Sequence, residues 1–263
     1  MKIAEQRNEL EQVVNAILKT QAPEAIYLIS YASVSYNCDN IFFTVTQTIK
    51  QPSAYLLLIV IDSDAKTCTQ IQSNLENILQ SVATVTCWCI SLTTFNEQLK
   101  YGDHFAGNVF TKAERLYVAE DAAFETPVVI IPLRLQSEWY QRALEFYAGA
   151  ELYAIRKQYA LAAFHLHQCA EQAFTGIIYN TCGYRPSTHN LLLLYKYACW
   201  FEPSLHSLFP ATANNEDNLL HLLQRAYKES RYANEYSIKG KQLEAIKDKI
   251  QQLLQQARVL PGT

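Results

Sequence analysis

Gln158-Tyr-Ala-Leu-Ala-Ala-Phe-His-Leu-His-Gln-Cys-Ala-Glu-Gln172 is the most informative stretch of the 263-residue sequence. Its apolar residues, followed on to Ile177, recur at helical spacing and predict an amphipathic helix over 159–181. Cys182-Gly183 is predicted to end this helix, because glycine readily adopts the left-handed conformation that closes helices. Thr188 is the expected N-cap of a following helix. The helices predicted around this one cover 136–157, 189–200, 216–234 and 240–257.

The N-terminal half alternates between short apolar runs and amphipathic segments. The continuous apolar run 55–61 is typical of a strand covered on both faces. Further strands are predicted at 25–29, near 41–45 and at 82–91, and helices at 3–20, 67–81, 93–101 and 104–117. This order predicts a small α/β sheet domain, whereas no strand is predicted after Glu138. The proline-bounded segment 126–132 is the predicted boundary, so the chain is expected to be α+β, with domains at 1–130 and 131–263.

Composition and charge exclude several classes of protein. The formal net charge is -3, from 22 basic and 25 acidic side chains, and no Lys or Arg run is long enough for a nucleic-acid tail, so a reader of DNA sequence is not expected. The longest apolar run, 55–61, is too short to cross a membrane, and the polar N-terminus is not expected to be a signal peptide. The seven cysteines have irregular spacing, which favours reduced thiols and a cytoplasmic protein.

Two later motifs follow the opening stretch in order. They are Gly183-Tyr-Arg-Pro-Ser-Thr-His-Asn-Leu191, which enters a predicted helix, and Ala226-Tyr-Lys-Glu-Ser-Arg-Tyr232, near the end of a later one. Together the three motifs resemble HEPN domains over about 138–257. The resemblance implies a helical bundle that forms a homodimer, with tyrosine-rich helices as interface material (Tyr140, Tyr147, Tyr153 and Tyr159).

Many HEPN domains are metal-independent ribonucleases with an Arg-x4–6-His motif, in which arginine stabilises phosphate charge and histidine transfers a proton. Arg231 matches the arginine, but Tyr236 stands at the shortest histidine spacing and no histidine follows Arg231. Tyrosine titrates near pH 10 and is a poor base at neutral pH. The resemblance gives this set of candidate site residues: Arg231, Tyr232, Tyr236, Glu171 and His189.

Other roles remain open for the same side chains. His165, His167 or His189 is a conceivable substitute for the missing histidine, although His165 and His167 point about 200° apart on a helix, so one of them is expected at the surface. Glu171 with Arg231 is alternatively an ion pair that fixes helix packing.

The N-terminal half resembles minimal nucleotidyltransferase domains, in which a first strand ends in Gly-Ser and a second carries Asp-x-Asp for Mg²⁺. Ser30 and Tyr31 stand at the Gly-Ser position and are the candidate nucleotide-binding residues. Ala54 and Leu56 replace the two aspartates, so the resemblance implies a degenerate domain without the usual metal site.

Asp62-Ser-Asp64 is the competing Asp-x-Asp. Two carboxylates two residues apart on a strand share a face and suit Mg²⁺, but strand ends commonly run into such polar turns or helix caps.

Three functions follow, in this order. The first is a non-catalytic protein that binds a nucleotide or RNA or acts as a regulatory module. The second is a HEPN ribonuclease of a toxin–antitoxin or phage-defence system with an altered motif built on Arg231 and Tyr236. The third is a Mg²⁺-dependent nucleotidyltransferase that uses Asp62 and Asp64.

Overall fold

The computed structural model describes residues 2–32, 39–42, 54–209, 218–232 and 236–259. Contacts divide the chain into two compact units, Met1–Pro132 and Leu133–Thr263. The boundary predicted from the sequence lies between residues 130 and 131. The described part of the first unit forms these elements: α1 (Lys2–Thr20), β1 (Pro23–Ala32), β2 (Asp39–Asn40), β3 (Ala54–Ile61), α2 (Ala65–Leu79), β4 (Thr84–Ser91), α3 (Leu92–Lys100), α4 (His104–Lys112) and β5 (Glu114–Val118).

The described strands form one mixed sheet in the order β2-β1-β3-β4, with β5 also paired to β1. β1 is antiparallel to β2, β3 and β5, whereas β3 and β4 are parallel and joined through α2. Every residue of β3 is buried, which confirms the strand predicted from the apolar run 55–61. Val13 and Ile17 of α1 and Leu75 and Leu79 of α2 belong to the same core cluster as Leu57 of β3.

The outer edge of β4 is bonded to the side chains of α2. The N–H of Cys87 donates to the Glu76 carboxylate at 2.9 Å, and the N–H of Cys89 donates to Gln72 Oε1 at 3.3 Å. Alternate residues of a strand direct their N–H groups to opposite sides, so these are the groups that another strand would bond. Side chains of α2 therefore accept from two neighbouring donors on the outer edge of β4.

Two sequence predictions in this unit are corrected. The helix predicted over 104–117 ends at Lys112, because Ala113 has an extended backbone and residues 114–118 form β5, which pairs with Ala25–Leu28 of β1. The strand predicted near 41–45 is not found at Ile41 and Phe42, which form a bend after the two-residue β2, and 43–45 lies outside the described residues.

The second unit is helical in its described part, as predicted. Its elements are α5 (Glu138–Ile155), α6 (Tyr159–Cys182), α7 (Leu191–Ala198), a short 3-10 turn (Pro203–Ser207), α8 (Leu219–Tyr232) and α9 (Gly240–Val259). α6 is central and contacts the other four α-helices. It ends at Gly183, which has a φ of 82° and donates its N–H to Tyr179 O at 2.7 Å, so the predicted glycine terminus is confirmed.

The predicted N-cap of the third helix is corrected. α7 begins at Leu191, and Asn190 is its N-cap, with a side chain that accepts from the N–H groups of Leu192 and Leu193. Thr188 instead accepts from the N–H of Asn190 at 3.1 Å and supports the turn before the helix.

The cysteines in the described residues are free thiols. Five of the six are buried and Cys89 is half-buried. Burial raises the pKa of the thiols of Cys68, Cys89 and Cys169, and raises that of Cys199 to about 12. Within the described ranges, no helix combines the length and apolar character that crossing a bilayer requires.

Candidate functional site

Three helices bring five polar and aromatic side chains together in the helical unit. α6 carries His167, Gln168 and Glu171, α8 carries Tyr227, and His189 directly precedes the N-cap of α7. We refer to His167, Gln168, Glu171, His189 and Tyr227 as the Glu171 cluster. α6 packs against both α7 and α8, so the sequence-distant motifs meet through helix packing.

Glu171 contacts the other polar members of the cluster. It is 7% exposed, and burying a carboxylate is costly unless it is paired. Its Oε1 lies 2.9 Å from His189 Nδ1, and its Oε2 lies 3.9 Å from His167 Nδ1. Gln168 Nε2 donates to Oε2 at 3.4 Å. Both carboxylate oxygens therefore have polar partners, one of which is a solvent-facing imidazole.

The side chain of His189 is 64% exposed although its partner carboxylate is buried. Its ring stacks on that of Tyr227, with centroids 5.2 Å apart and planes inclined by 19°. His167 stacks on the same tyrosine at 5.0 Å and 26°. His189 donates from Nδ1 to Glu171, so Nε2 is the nitrogen left for a ligand; it is an acceptor in the neutral imidazole and a donor in the protonated one. The carboxylate and the tyrosine thus orient an accessible imidazole.

Side chains of the protein accept the hydrogen bonds of the first backbone N–H groups of α7, which are the groups that would otherwise bind an anion. The N–H of Leu191 donates to Gln224 Oε1 of α8, and Asn190 Oδ1 accepts from the next two N–H groups. Helix N-termini attract anions through such donors when they are free. A phosphate at this site would therefore be recognised by side chains.

Arg231 and Tyr232 lie in the last turn of α8, and their side chains are outside the described residues. The predicted ion pair between Glu171 and Arg231 therefore depends on a side chain that lies outside the described residues. Arg231 follows Tyr227 by four residues, which is about one helical turn, so the two positions share a face of α8.

Tyr236 and His165 have packing contacts in this unit. The Tyr236 hydroxyl, on a residue only 8% exposed, donates to Leu222 O at 3.3 Å, and burial raises the pKa of this tyrosine. His165 is half-buried rather than at the surface, and it packs against Phe146, Tyr153 and Phe164. The separation of His165 and His167 onto different faces of α6 agrees with their spacing, but neither is a surface residue.

The N-terminal candidates lie at two places in the sheet unit. Ser30 is buried in β1 opposite Leu56 of β3, with Tyr31 beside it, and both Ala54 and Leu56 are buried. Asp64 caps α2, its two carboxylate oxygens accepting from the N–H and the hydroxyl of Thr67, which lowers the pKa of Asp64. Within the described part of the chain, no three His, Cys, Asp or Glu side chains are grouped to hold a metal ion.

Sequence reasoning named Glu171 and His189 and did not single out Tyr227 or Gln168. The motif Ala226–Tyr232 contains Tyr227, and its position four residues before Arg231 was the available signal. Gln168 precedes Glu171 by three residues, the other spacing that places two side chains together on a helix.

Comparisons with known proteins bear on the helical unit. No curated protein compared with this chain matches it. The family model described as the HEPN domain matches residues 136–260, a segment that contains every member of the Glu171 cluster together with Arg231 and Tyr236. The helical unit is therefore similar to HEPN domains, as its three motifs predicted.

Proposed function

We propose that the helical unit is a non-catalytic module that binds a nucleotide or RNA at the Glu171 cluster. The observation that carries the proposal is the exposed His189 ring, held at 2.9 Å by a buried carboxylate and stacked on Tyr227. The similarity to HEPN domains is consistent with a nucleotide or RNA ligand.

The chemistry of the cluster suits such a ligand. Nucleobases stack on aromatic side chains, with about 1–3 kcal/mol per base from each good platform. His189 and the half-buried Tyr227 provide aromatic surface. In the neutral imidazole, His189 Nε2 would accept from a donor on a base edge, and in the protonated imidazole its N–H would donate to a phosphate oxygen. Arg231, one turn beyond Tyr227, supplies the residue type that binds phosphate with two parallel hydrogen bonds.

Two observations favour binding without cleavage. No histidine follows Arg231 in the sequence, so the usual proton-transfer residue of HEPN ribonucleases is missing. Tyr236, at the histidine spacing, directs its hydroxyl to the carbonyl of Leu222, and burial opposes its ionisation.

The test measures binding and cleavage on the same samples of full-length protein. Fluorescently labelled RNA oligomers, ATP and GTP would be titrated by anisotropy against wild type, His189→Ala, Tyr227→Leu and Arg231→Ala. We expect each variant to bind at least about tenfold more weakly, because each loses a stacking or phosphate contact. His221→Ala, on α8 but outside the cluster, is the matched control and should bind like wild type. Equal binding by all four proteins would contradict the proposal.

A second candidate, an altered ribonuclease, is favoured by the same 2.9 Å contact between Glu171 and His189. A carboxylate at Nδ1 orients an imidazole and stabilises its protonated form, so that Nε2 takes up a proton, as in catalytic dyads. His189 Nε2 would remove the proton of a ribose 2′-hydroxyl while Arg231 binds the phosphate. The 2′-oxygen would then bond to the adjacent phosphorus as the bond from phosphorus to the 5′-oxygen breaks, and the departing 5′-oxygen would take a proton from the protonated imidazole or from water. Metal-independent cleavage that is lost in both His189→Ala and Glu171→Gln would establish this function in place of the first.

We infer that the sheet unit is a degenerate nucleotidyltransferase-like domain. In support, a helix precedes its mixed sheet, and the positions matching the metal-binding aspartates are the buried Ala54 and Leu56. Mg²⁺-dependent nucleotide binding lost in Asp62→Ala would instead favour the third function. The free thiols are typical of a reducing compartment, which favours the cytoplasm for this protein.

A further inference from the structure

The loop between α6 and α7 presents a row of exposed side chains. Residues 183–190 form neither helix nor strand, and from 185 to 189 the exposure of the side chains alternates. Arg185, Ser187 and His189 are exposed, whereas Pro186 is buried and Thr188 is half-buried. In an extended segment alternate side chains point to the same side, and the residue before a proline favours that conformation. A guanidinium, a hydroxyl and an imidazole therefore follow one another along one side of the loop, and we refer to these three residues as the loop row.

Arg185 is positioned by an aromatic ring rather than by a carboxylate. Its guanidinium carbon lies 5.2 Å from the centroid of the Trp139 ring, and Trp139 itself is only 8% exposed. A guanidinium over a ring uses its face for the contact and keeps its N–H groups for an oxygen acceptor. Within the part of the chain that the structure describes, no carboxylate pairs with Arg185. Arg185 is thus an exposed cation with its hydrogen-bonding edge available to an anion.

The charges around the loop row leave a positive balance. Arg142 lies 6.0 Å from the same indole ring and pairs with Glu138 at 3.7 Å, so these two charges offset each other and that of Arg185 is left over. At the other end of the row, Glu171 is already bonded to His189 at 2.9 Å. Phosphate is the anion that suits a free arginine fork, because its oxygens accept two parallel hydrogen bonds.

We propose that the loop row binds the phosphodiester backbone of a single strand of nucleic acid that continues from the Glu171 cluster. The inference rests on the proposed function and narrows its ligand from any nucleotide to a strand. Arg185 and His189 are four residues apart, so their Cα atoms are separated by up to about 14 Å. A base stacked at His189 and its own phosphate occupy one end of that span, and the next phosphates of the strand occupy Ser187 and Arg185. The strand is single because stacking on a side chain requires an unpaired base.

Anisotropy titration of the full-length chain with labelled uridine and deoxyuridine hexamers tests the inference and separates an RNA strand from a DNA strand. We expect Arg185→Ala to bind the preferred hexamer about tenfold more weakly, because a charge-assisted contact is lost. The slope of log K against log salt should become shallower by about 0.7, the value for one phosphate of a single strand. Arg185→Lys keeps the charge and should restore that slope. Arg156→Ala is the matched control, since Arg156 is also exposed but lies about 25 Å along α5 from Trp139, and it should bind like wild type.

Titration of adenosine monophosphate separates this inference from the proposed function. This ligand has one phosphate, so its binding should weaken in His189→Ala and stay unchanged in Arg185→Ala. Hexamer affinity and salt slope that are the same in Arg185→Ala as in wild type would overturn the inference, and so would a wild type that binds adenosine monophosphate but neither hexamer. In both of those cases, weaker binding of adenosine monophosphate by His189→Ala would leave the proposed function intact.

Discussion

Tyr236 stands where the family motif has histidine and has a structural contact of its own. Its hydroxyl donates to Leu222 O from a buried site, and a hydrogen bond of this kind contributes about 1 kcal/mol to stability. A spacing match to a catalytic position therefore does not identify the role of this tyrosine, whereas its burial and bonding partner do.

We expect Tyr236→Phe to lower the free energy of unfolding by about 1 kcal/mol and to leave RNA binding and cleavage unchanged. The substitution removes only the hydroxyl and keeps the ring in the core. Urea denaturation would give the stability and anisotropy titration would give the binding. Loss of binding or of cleavage at unchanged stability would show that the hydroxyl acts on the ligand.

Gly149 shows how a single missing Cβ makes room for another side chain. A Cβ at this position would come within 2.5 Å of His165 Nδ1, and the histidine ring is enclosed by Phe146, Tyr153 and Phe164. Gly149 is therefore required by packing, although glycine is unfavourable inside a helix.

We expect Gly149→Ala to destabilise the helical unit by about 1–3 kcal/mol, which is typical of overpacking, even though alanine has the higher helix propensity. Gly240→Ala is the control, because a Cβ there has only ordinary contacts with Tyr159, the nearest at 3.6 Å. It should be neutral or stabilising by up to about 1 kcal/mol. Thermal unfolding compares the two, and equal effects would refute the packing argument.

At the scale of whole elements, the edge of β4 is protected by α2 rather than by another strand. Unpaired edge donors are templates for association with other chains, and side chains that occupy them prevent this. Glu76 and Gln72 are four residues apart on α2 and reach donors two residues apart on β4, so one helix face matches one strand edge.

We expect Glu76→Ala to cost about 1–2 kcal/mol and to increase self-association, because the N–H of Cys87 loses its acceptor. Glu76→Gln keeps an oxygen at the same place and should behave nearly like wild type. Denaturation and light scattering would measure the two effects. If the alanine and glutamine variants were equally stable and equally monodisperse, the edge would not depend on this bond.

Helices with strong periodicity could be predicted from the sequence, and features set by distant partners could not. The predicted ends of α6 and α9 lie within two residues of those in the structure, because their apolar spacing is local information. β5 was predicted as helix since its strand form depends on pairing with β1, almost 90 residues earlier. In the same way, Glu171 and His189 were identifiable from motifs, whereas the stacking of Tyr227 depends on how α8 packs against α6.

At the scale of the whole molecule, each of the two units has enough internal contacts to be compact by itself. Units of this size usually unfold as separate cooperative blocks unless a large interface couples them. The sheet is buried mainly by α1 and α2 on one side, and the helical unit is organised around α6.

We expect two unfolding transitions, and we expect Gly149→Ala to shift only that of Leu133–Thr263. Hydrogen–deuterium exchange read by mass spectrometry assigns protection to each unit separately. A single transition that moves as a whole in this variant would mean that the units are energetically coupled.

Alkylation of the buried thiols reports local opening of the protein. Thiolates, not thiols, react with alkylating reagents, and burial shields these groups. Burial also raises the pKa of the Cys68, Cys169 and Cys199 thiols. Cys68 and Cys87 belong to the sheet unit, and Cys169, Cys182 and Cys199 to the helical one. After Cys38→Ser, the order in which these thiols become alkylated in the native protein would record which unit opens first, with no probe added to the chain.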